Sequence, residues 1–273
     1  MNWKEAREIS RATFEEVFRR IRNIVGKKEG DVRLDPRKET KMIDKIAEEA
    51  ALDILGKYDF TIVTEESGVI GNGDIHVTLD PVDGTYNATK DVPIYSIALC
   101  FSKSKFIKDT FFGYVANLAT GTEYWANVSG AFKNDKKIKT SKKQILKDCN
   151  AIVYSPLPSY LNLDDFKFKR VRTFGSAALE VCFVADSSFD CFIDIREKNG
   201  RGILRVFDIA ASVFIAEKAG AKVTDETGNI IKNKEIGMEE RFKLVIANKN
   251  LHSMLINQIL SKKKCWKGDK FKK

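Results

Sequence analysis

The stretch Leu79-Asp-Pro-Val-Asp-Gly-Thr85 decides the reading of this chain. An apolar run over residues 75–79 with strand character leads into it. It then places two carboxylates, Asp80 and Asp83, three residues apart around a proline. Pro81 fixes its own φ and has no N–H, so the strand is expected to stop there and Asp83-Gly84 to form a tight turn. Carboxylates that converge across a turn repel and raise each other's pKa unless a cation lies between them. Oxygen donors without His or Cys favour Mg²⁺, Mn²⁺ or Ca²⁺ over zinc.

Two further acidic elements extend the pattern. Glu65-Glu66 follows the short strand expected over residues 60–64, and strand C-terminal ends are where α/β sheets place ligands. Asp208 opens a helix expected over residues 205–219 and, read alone, is a helix-terminal charge or cap. Together the three elements point to a metal site.

Around this centre, apolar residues at spacings of three and four predict helices over residues 3–25 and 41–55, separated by a polar loop over residues 26–40. Strands over residues 96–102, 111–117 and 123–127 read as an antiparallel meander, with a turn at residues 132–136. Beyond residue 139, strands are expected at 151–154, 170–173, 189–195, 222–224 and 243–247, and helices from 177 to about 186 and from 250 to 260. Interleaved helices and strands with hairpins in the middle imply a mixed-sheet, layered α/β sandwich in two parts. We divide it into residues 1–138, an N-terminal α+β sub-domain with the metal motifs, residues 139–260, a C-terminal α/β sub-domain with substrate-recognition residues, and residues 261–273, a Lys-rich tail or linker.

Composition narrows the function classes. The 273 residues are 43% hydrophobic and 31% charged, which excludes disorder as the main state. No apolar run approaches the roughly 20 residues of a membrane span, and the charged N-terminus is unlike a secretory signal. The expectation is a cytoplasmic protein. Net charge is +9, but residues 261–273 hold seven lysines and one aspartate, leaving +3 for the other 260 residues. Nucleic-acid binding would have to rest on that tail and is not expected. Five cysteines without a Cys-x-x-Cys pair argue for free thiols. The spacing of Cys149, Cys182 and Cys191 does not support a redox pair. His76 and His252 have no Ser or Cys partner in a hydrolase motif, and neither a P-loop nor a Gly-x-Gly-x-x-Gly fingerprint occurs.

At Thr64-Glu-Glu-Ser-Gly68, Leu79-Asp-Pro-Val-Asp-Gly-Thr85 and Val206-Phe-Asp-Ile-Ala-Ala211, the sequence resembles the inositol monophosphatase superfamily of Mg²⁺-dependent phosphatases. The resemblance spans roughly residues 5–260 and is nearest to the archaeal enzymes with both inositol-monophosphatase and fructose-1,6-bisphosphatase activity. Phe112-Gly-Tyr-Val-Ala-Asn-Leu-Ala-Thr-Gly121 and Phe189-Asp-Cys-Phe-Ile-Asp-Ile-Arg196 resemble that subgroup. It implies a layered αβαβα sandwich, commonly dimeric, acting on a small phosphorylated metabolite with two or three Mg²⁺ ions. By the same resemblance, Glu65, Asp80 and the Val82 carbonyl bind one metal, and Asp80, Asp83 and Asp208 a second, with a third ion near Glu65. Gly84 and Thr85 offer amides to phosphate, and Asp44 with Thr85 polarises the attacking water, making Asp44, Thr85 and Glu65 the catalytic group. Thr40 and Asp44 keep the subgroup's spacing, whereas Arg37 and Lys38 stand where relatives often have Gly, Ser or an acid.

Substrate choice is placed in the second half. The resemblance aligns Asp194 with a residue that binds substrate hydroxyls and Ser176 with a position beside the substrate. Arg205 occupies the place of a His in animal inositol enzymes. An Arg fork there suits a second phosphate, helped by Arg172, Arg196 and Arg201. This favours fructose 1,6-bisphosphate and inositol 1-phosphate. NADP is the alternative, since in some archaea such a phosphatase is fused to an NAD kinase, and the Lys-rich end would then begin a linker. A catalytically silent binding protein of the same fold would be expected to lack a metal ligand, and none is missing.

Overall fold

The structure, a computed structural model, describes residues 1–26 and 36–270. Helix α1 (Trp3–Ile21) is capped by Asn2, whose side chain accepts from the amides of Lys4 and Glu5 while the Glu5 carboxylate accepts from the Asn2 amide. It buries Ala6, Ile9, Thr13 and Val17 against α2 (Pro36–Leu55) and the sheet beneath. The first helix thus stops short of residue 25. Of the loop expected over residues 26–40, residues 27–35 lie outside the described residues. The rest is the start of α2, with Pro36 at a position where its missing N–H costs nothing.

The strands β1 (Phe60–Thr64), β2 (Gly68–Ile70) and β3 (Ile75–Asp83) lead to the short helix α3 (Thr85–Thr89). Then come β4 (Ser96–Ser102), β5 (Thr110–Asn117), β6 (Glu123–Asn127), β7 (Gly130–Lys133) and β8 (Lys136–Ile138). They form one sheet in the order β2-β1-β3-β4-β5-β6-β7-β8, with β1 and β3 parallel and every other neighbour antiparallel. The meander is as expected. The turn at residues 132–136 is the tip of the β7–β8 hairpin, with Asn134 and Asp135 both at positive φ.

The second half contributes β9 (Asn150–Val153), β10 (Arg170–Arg172), α4 (Ala177–Ala185), β11 (Cys191–Asp194), a small ribbon of β12 (Glu197–Lys198) and β13 (Arg201–Gly202), α5 (Val206–Lys218), β14 (Ala221–Thr224), β15 (Leu244–Asn248) and α6 (Lys249–Lys270). The second sheet runs β10-β9-β11-β15-β14.

Side-chain alternation builds the layers. In β4, Ile97, Leu99 and Phe101 face α1 and α2, while Ala98 and Cys100 face α4 and α5. The far side of α4 and α5 packs on Ile152, Phe192, Leu244 and Ile246 of the second sheet. That sheet's other face packs on Leu251, Leu255 and Ile259 of α6. The result is helices, sheet, helices, sheet, helix: the expected αβαβα sandwich. The Lys-rich segment departs from the expected tail, because α6 runs on through Lys270. Nothing from Ser261 to Lys267 breaks a helix. Lys262 pairs with Asp165 at 2.5 Å, and Trp266 packs on Tyr160. All five cysteines are free, four of them buried. Among the described residues no helix is long and apolar enough to cross a membrane.

Candidate active site

Strands β1 and β3 are parallel, so their C-terminal ends lie at the same edge of the sheet. Glu65 follows the first, and Asp80 and Asp83 lie in the last four residues of the second. Pro81 does not end β3. The pairing with β4 runs from Asp80–Ala98 to Asp83–Ser96 with a register shift between, so Pro81 falls in a bulge where no ladder donor is needed. Gly84 then adopts φ 90°, and α3 begins at Thr85. A side chain at position 84 would put its Cβ 3.0 and 3.1 Å from the Gly175 and Ile94 carbonyl oxygens, so the left-handed backbone here leaves room only for glycine.

The third acid arrives on α5. Asp208 occupies the third helical position and accepts from the amide of Arg205, the N-cap residue, at 2.7 Å. The capping role foreseen for Asp208 is what the structure shows, and the same carboxylate feels the charges of Asp83 and Glu65. Asp83 is bracketed from α4: the Ser176 hydroxyl donates to it at 2.6 Å and the Ala178 amide at 2.7 Å. Asp80 is buried and accepts from the Val82 amide at 3.1 Å.

The electrostatics follow from this packing. Burial, then the charges of Asp83 and Asp208, hold the Asp80 carboxyl well above the usual range. Burial pushes Asp83 to about 6 against the hydrogen bonds from Ser176 and α4. It pushes Asp208 to about 7 against the Arg205 amide. Among the described residues no three Asp, Glu, His or Cys side chains are gathered closely enough to hold a metal ion as they stand. Asp80 and Asp208 each spend one oxygen on a protein donor and Asp83 spends both. In kind the donor set fits a hard divalent cation: all oxygen, mutually repelling, with no cation on Asp80, Asp83 or Asp208 within ion-pair distance among the described residues.

Asp44 and Thr85, the pair expected to orient water, are brought into contact. The Thr85 hydroxyl lies 2.6 Å from Asp44 Oδ1 and 2.9 Å from the Val82 carbonyl, across 41 residues of sequence. Burial raises Asp44 to about 6, opposed by the Thr85 hydrogen bond. The side chains of Arg37, Lys38 and Thr40 lie outside the described residues.

The residues foreseen for substrate are placed less openly. Asp194 is 1% exposed and gripped by Arg196 at both oxygens, at 2.9 and 2.5 Å. Arg196 in turn stacks on the Tyr154 ring at 4.0 Å. Ser176 is fully buried and serves Asp83. Arg172 donates back to its own strand at the Val171 carbonyl, and Arg201 to the Glu239 carbonyl. Arg205 reaches the acidic cluster, 3.5 Å from Glu65.

Two supporting residues escape a reading of the sequence. Glu48, buried on α2, accepts from the hydroxyls of Thr64 and Ser67 and so fixes the loop that carries Glu65. Its i, i+4 spacing from Asp44 is the available signal. Asn87 donates to the carbonyls of Ile94 and Phe174, tying α3 to the entry of α4.

The sequence profile of the inositol monophosphatase family matches residues 3–264. The chain is 54% identical over 220 residues to a fructose-1,6-bisphosphatase/inositol-1-monophosphatase of Archaeoglobus fulgidus, covering 81% of this chain and 83% of that one. It is 34% identical to a bifunctional NADP phosphatase/NAD kinase of Methanocaldococcus jannaschii, covering 92% of this chain but only 50% of that longer protein. A solved structure described as an inositol monophosphatase–fructose 1,6-bisphosphatase superposes with a TM-score of 0.80 at 29% identity, covering 95% of this chain and all of that one.

Proposed function

The chain belongs to the inositol monophosphatase family, and from that premise we propose that it is a metal-dependent phosphatase hydrolysing small phosphate monoesters, fructose 1,6-bisphosphate and inositol 1-phosphate first among them. The observation that carries this reading is the Thr85–Asp44 pair, 2.6 Å apart, beside three carboxylates that have no protein cation.

Glu65, Asp80, the Val82 carbonyl, Asp83 and Asp208 would hold two or three Mg²⁺ ions, or Mn²⁺. Bound there, such ions lower the pKa of water and offset charge on the leaving oxygen. The protein's own part is positional. With its hydroxyl proton on Asp44, Thr85 keeps a lone pair to accept from an attacking water and aim it. The first amides of α3, at Gly84 and Thr85, have no acceptor within the helix and suit a phosphate oxygen. Ser176 and the α4 amides fix the Asp83 rotamer, and Glu48 fixes the Glu65 loop. Both leave less reorganisation for the reaction itself.

NADP is a second substrate reading, favoured by the match of 92% of the chain to the bifunctional relative. The homodimer and a cytoplasmic setting stand with this proposal, on the resemblance alone.

The test is phosphate release from the three substrates with Mg²⁺ and with EDTA, alongside Asp80→Asn. We expect metal-dependent release that the variant loses, with the order of kcat/KM naming the substrate. Release that survives EDTA or Asp80→Asn, or no release from any of the three, overturns the reading.

A further inference from the structure

The end of α5 remote from Asp208 opens on a cavity of about 570 Å³. Asp208 and Lys218 are ten residues apart on that helix, about 15 Å along its axis. None of the residues assigned to phosphate hydrolysis lines this cavity.

Its wall is aromatic. Trp3 of α1, Phe111 of β5 and Phe214 of α5 form it, and Trp3 is itself backed by Trp125, stacked at 5.9 Å with planes 8° apart. The Lys4 ammonium lies over the Trp3 ring at 5.9 Å and the Lys218 ammonium over the Phe214 ring at 5.1 Å, so a planar ring would stack on this wall by displacing two mobile lysine side chains. The rim is cationic. Lys103, Lys108 and Lys218 border this cavity, and Lys108 and Lys218 also border an adjoining one of about 410 Å³ that adds Lys232.

The charge balance favours an anion. Among the described residues, Lys103, Lys108 and Lys218 have no carboxylate within ion-pair distance. Of the two acids present, Glu217 pairs with Lys232 at 3.4 Å, while Asp109 accepts from the Ser104 hydroxyl and keeps its charge, leaving three lysines against one carboxylate. The C-terminal dipole of α5 opposes an anion, but Lys218 in the last turn offsets it.

We propose that this cavity is a second ligand site, for a nucleoside di- or triphosphate, with its base on the Trp3–Phe214 wall and its phosphates along Lys103, Lys108 and Lys218. The aromatic wall selects for the planar base and the lysines for at least two phosphates, and the two cavities share Lys108, Thr110, Phe214 and Lys218 in their linings. Neither half alone needs the other, and a nucleotide is the common metabolite class that offers both.

The test uses the full chain in EDTA, which keeps metal from the carboxylate cluster. ATP is titrated while Trp fluorescence and calorimetric heat are followed, with inorganic tripolyphosphate as the base-free probe. We expect saturable ATP binding with a change in Trp emission, weakened about tenfold or more in Lys108→Gln/Lys218→Gln. We expect tripolyphosphate to bind about tenfold or more weakly than ATP for want of the stacked base. Trp3→Phe should keep the heat and lose the emission change. The lysine variant should hydrolyse its phosphate ester with unchanged kcat/KM, since neither lysine lines the carboxylate site. Absence of saturable ATP binding overturns the proposal. So does equal affinity in the lysine variant, or tripolyphosphate binding as tightly as ATP.

Discussion

Replacing Gly113 with alanine tests how tightly the site's third acid is seated. Gly113 lies in β5 where α5 crosses the sheet, and its φ is ordinary, so backbone strain is not the issue. A Cβ there would lie 2.8 Å from the Ala211 carbonyl oxygen and 3.3 Å from Phe214 Cδ1. Reaching ordinary contact at 3.4 Å means lifting the helix backbone by about 0.6 Å, because a carbonyl cannot rotate away as a side chain can. Overpacking of this kind costs about 1–3 kcal/mol. Removing a glycine from a strand interior returns about 0.5–1 kcal/mol. The overpacking wins, for a net loss of about 1–2 kcal/mol, or a fall in Tm of about 2–8 °C. Asp208 is one turn from Ala211 on the same helix and moves with it, so kcat should fall as well, by up to about tenfold. Urea unfolding and steady-state phosphate release on the same preparation measure both. A Gly113→Ala protein as stable as the parent would refute the reasoning, since it would mean that α5 is not pressed onto the sheet as described.

Thr85→Val keeps the shape of the site but removes the hydroxyl that meets Asp44, and kcat should drop about 10²- to 10⁴-fold with little change in KM. Ser176→Ala removes a buried hydrogen bond to Asp83, and about 1.5–3 kcal/mol of lost orientation should show as weaker activation by Mg²⁺ in a metal titration. Burial pushes His252 down to about 4, so between there and 6.5 the unfolded imidazole binds a proton that the folded one refuses. Stability should therefore fall by up to about 3 kcal/mol as pH drops from 6.5 to 4, and acid unfolding of His252→Gln should show a flatter slope over that window.

The site is legible where its chemistry is local. Asp80, Asp83 and Thr85 lie within six residues, and the turn that aims them is written in Pro81 and Gly84. What the sequence hides is how that turn is made: Pro81 reads as a stop, whereas a bulge lets the strand continue around it. Short edge strands are also hidden, because β2 and β8 have three residues each and one buried face at most. The Lys-rich end reads as a tail because charge suggests solvent, yet lysine is a good helix former and Lys262 finds Asp165 across 97 positions. The supporting shell is least legible. Glu48, Asn87 and Ser176 act through contacts 16 to 93 residues away, which no local pattern encodes.

Arg205 shows how a sequence-level role and a structural one can share a side chain. Its backbone caps α5 and hands an amide to Asp208, so its place in the chain is fixed by the helix. Its guanidinium, by contrast, meets Glu65 at 3.5 Å and the face of Phe207 at 5.6 Å among the described residues. Both charged groups are well exposed, 36% and 45%, and an ion pair so open to water contributes about 0–1 kcal/mol. Asp194 and Arg196, which form a close two-point pair at the protein's interior, have no such freedom. The charge of Arg205 acts on both Glu65 and Asp208, so its side chain leans toward the acids through open attractions rather than through a tight pair. Arg172 and Arg201 are also loosely held, each by an exposed backbone carbonyl, but of the arginines expected to grip a second phosphate Arg205 is the one that reaches Glu65, through a contact weak enough to be exchanged.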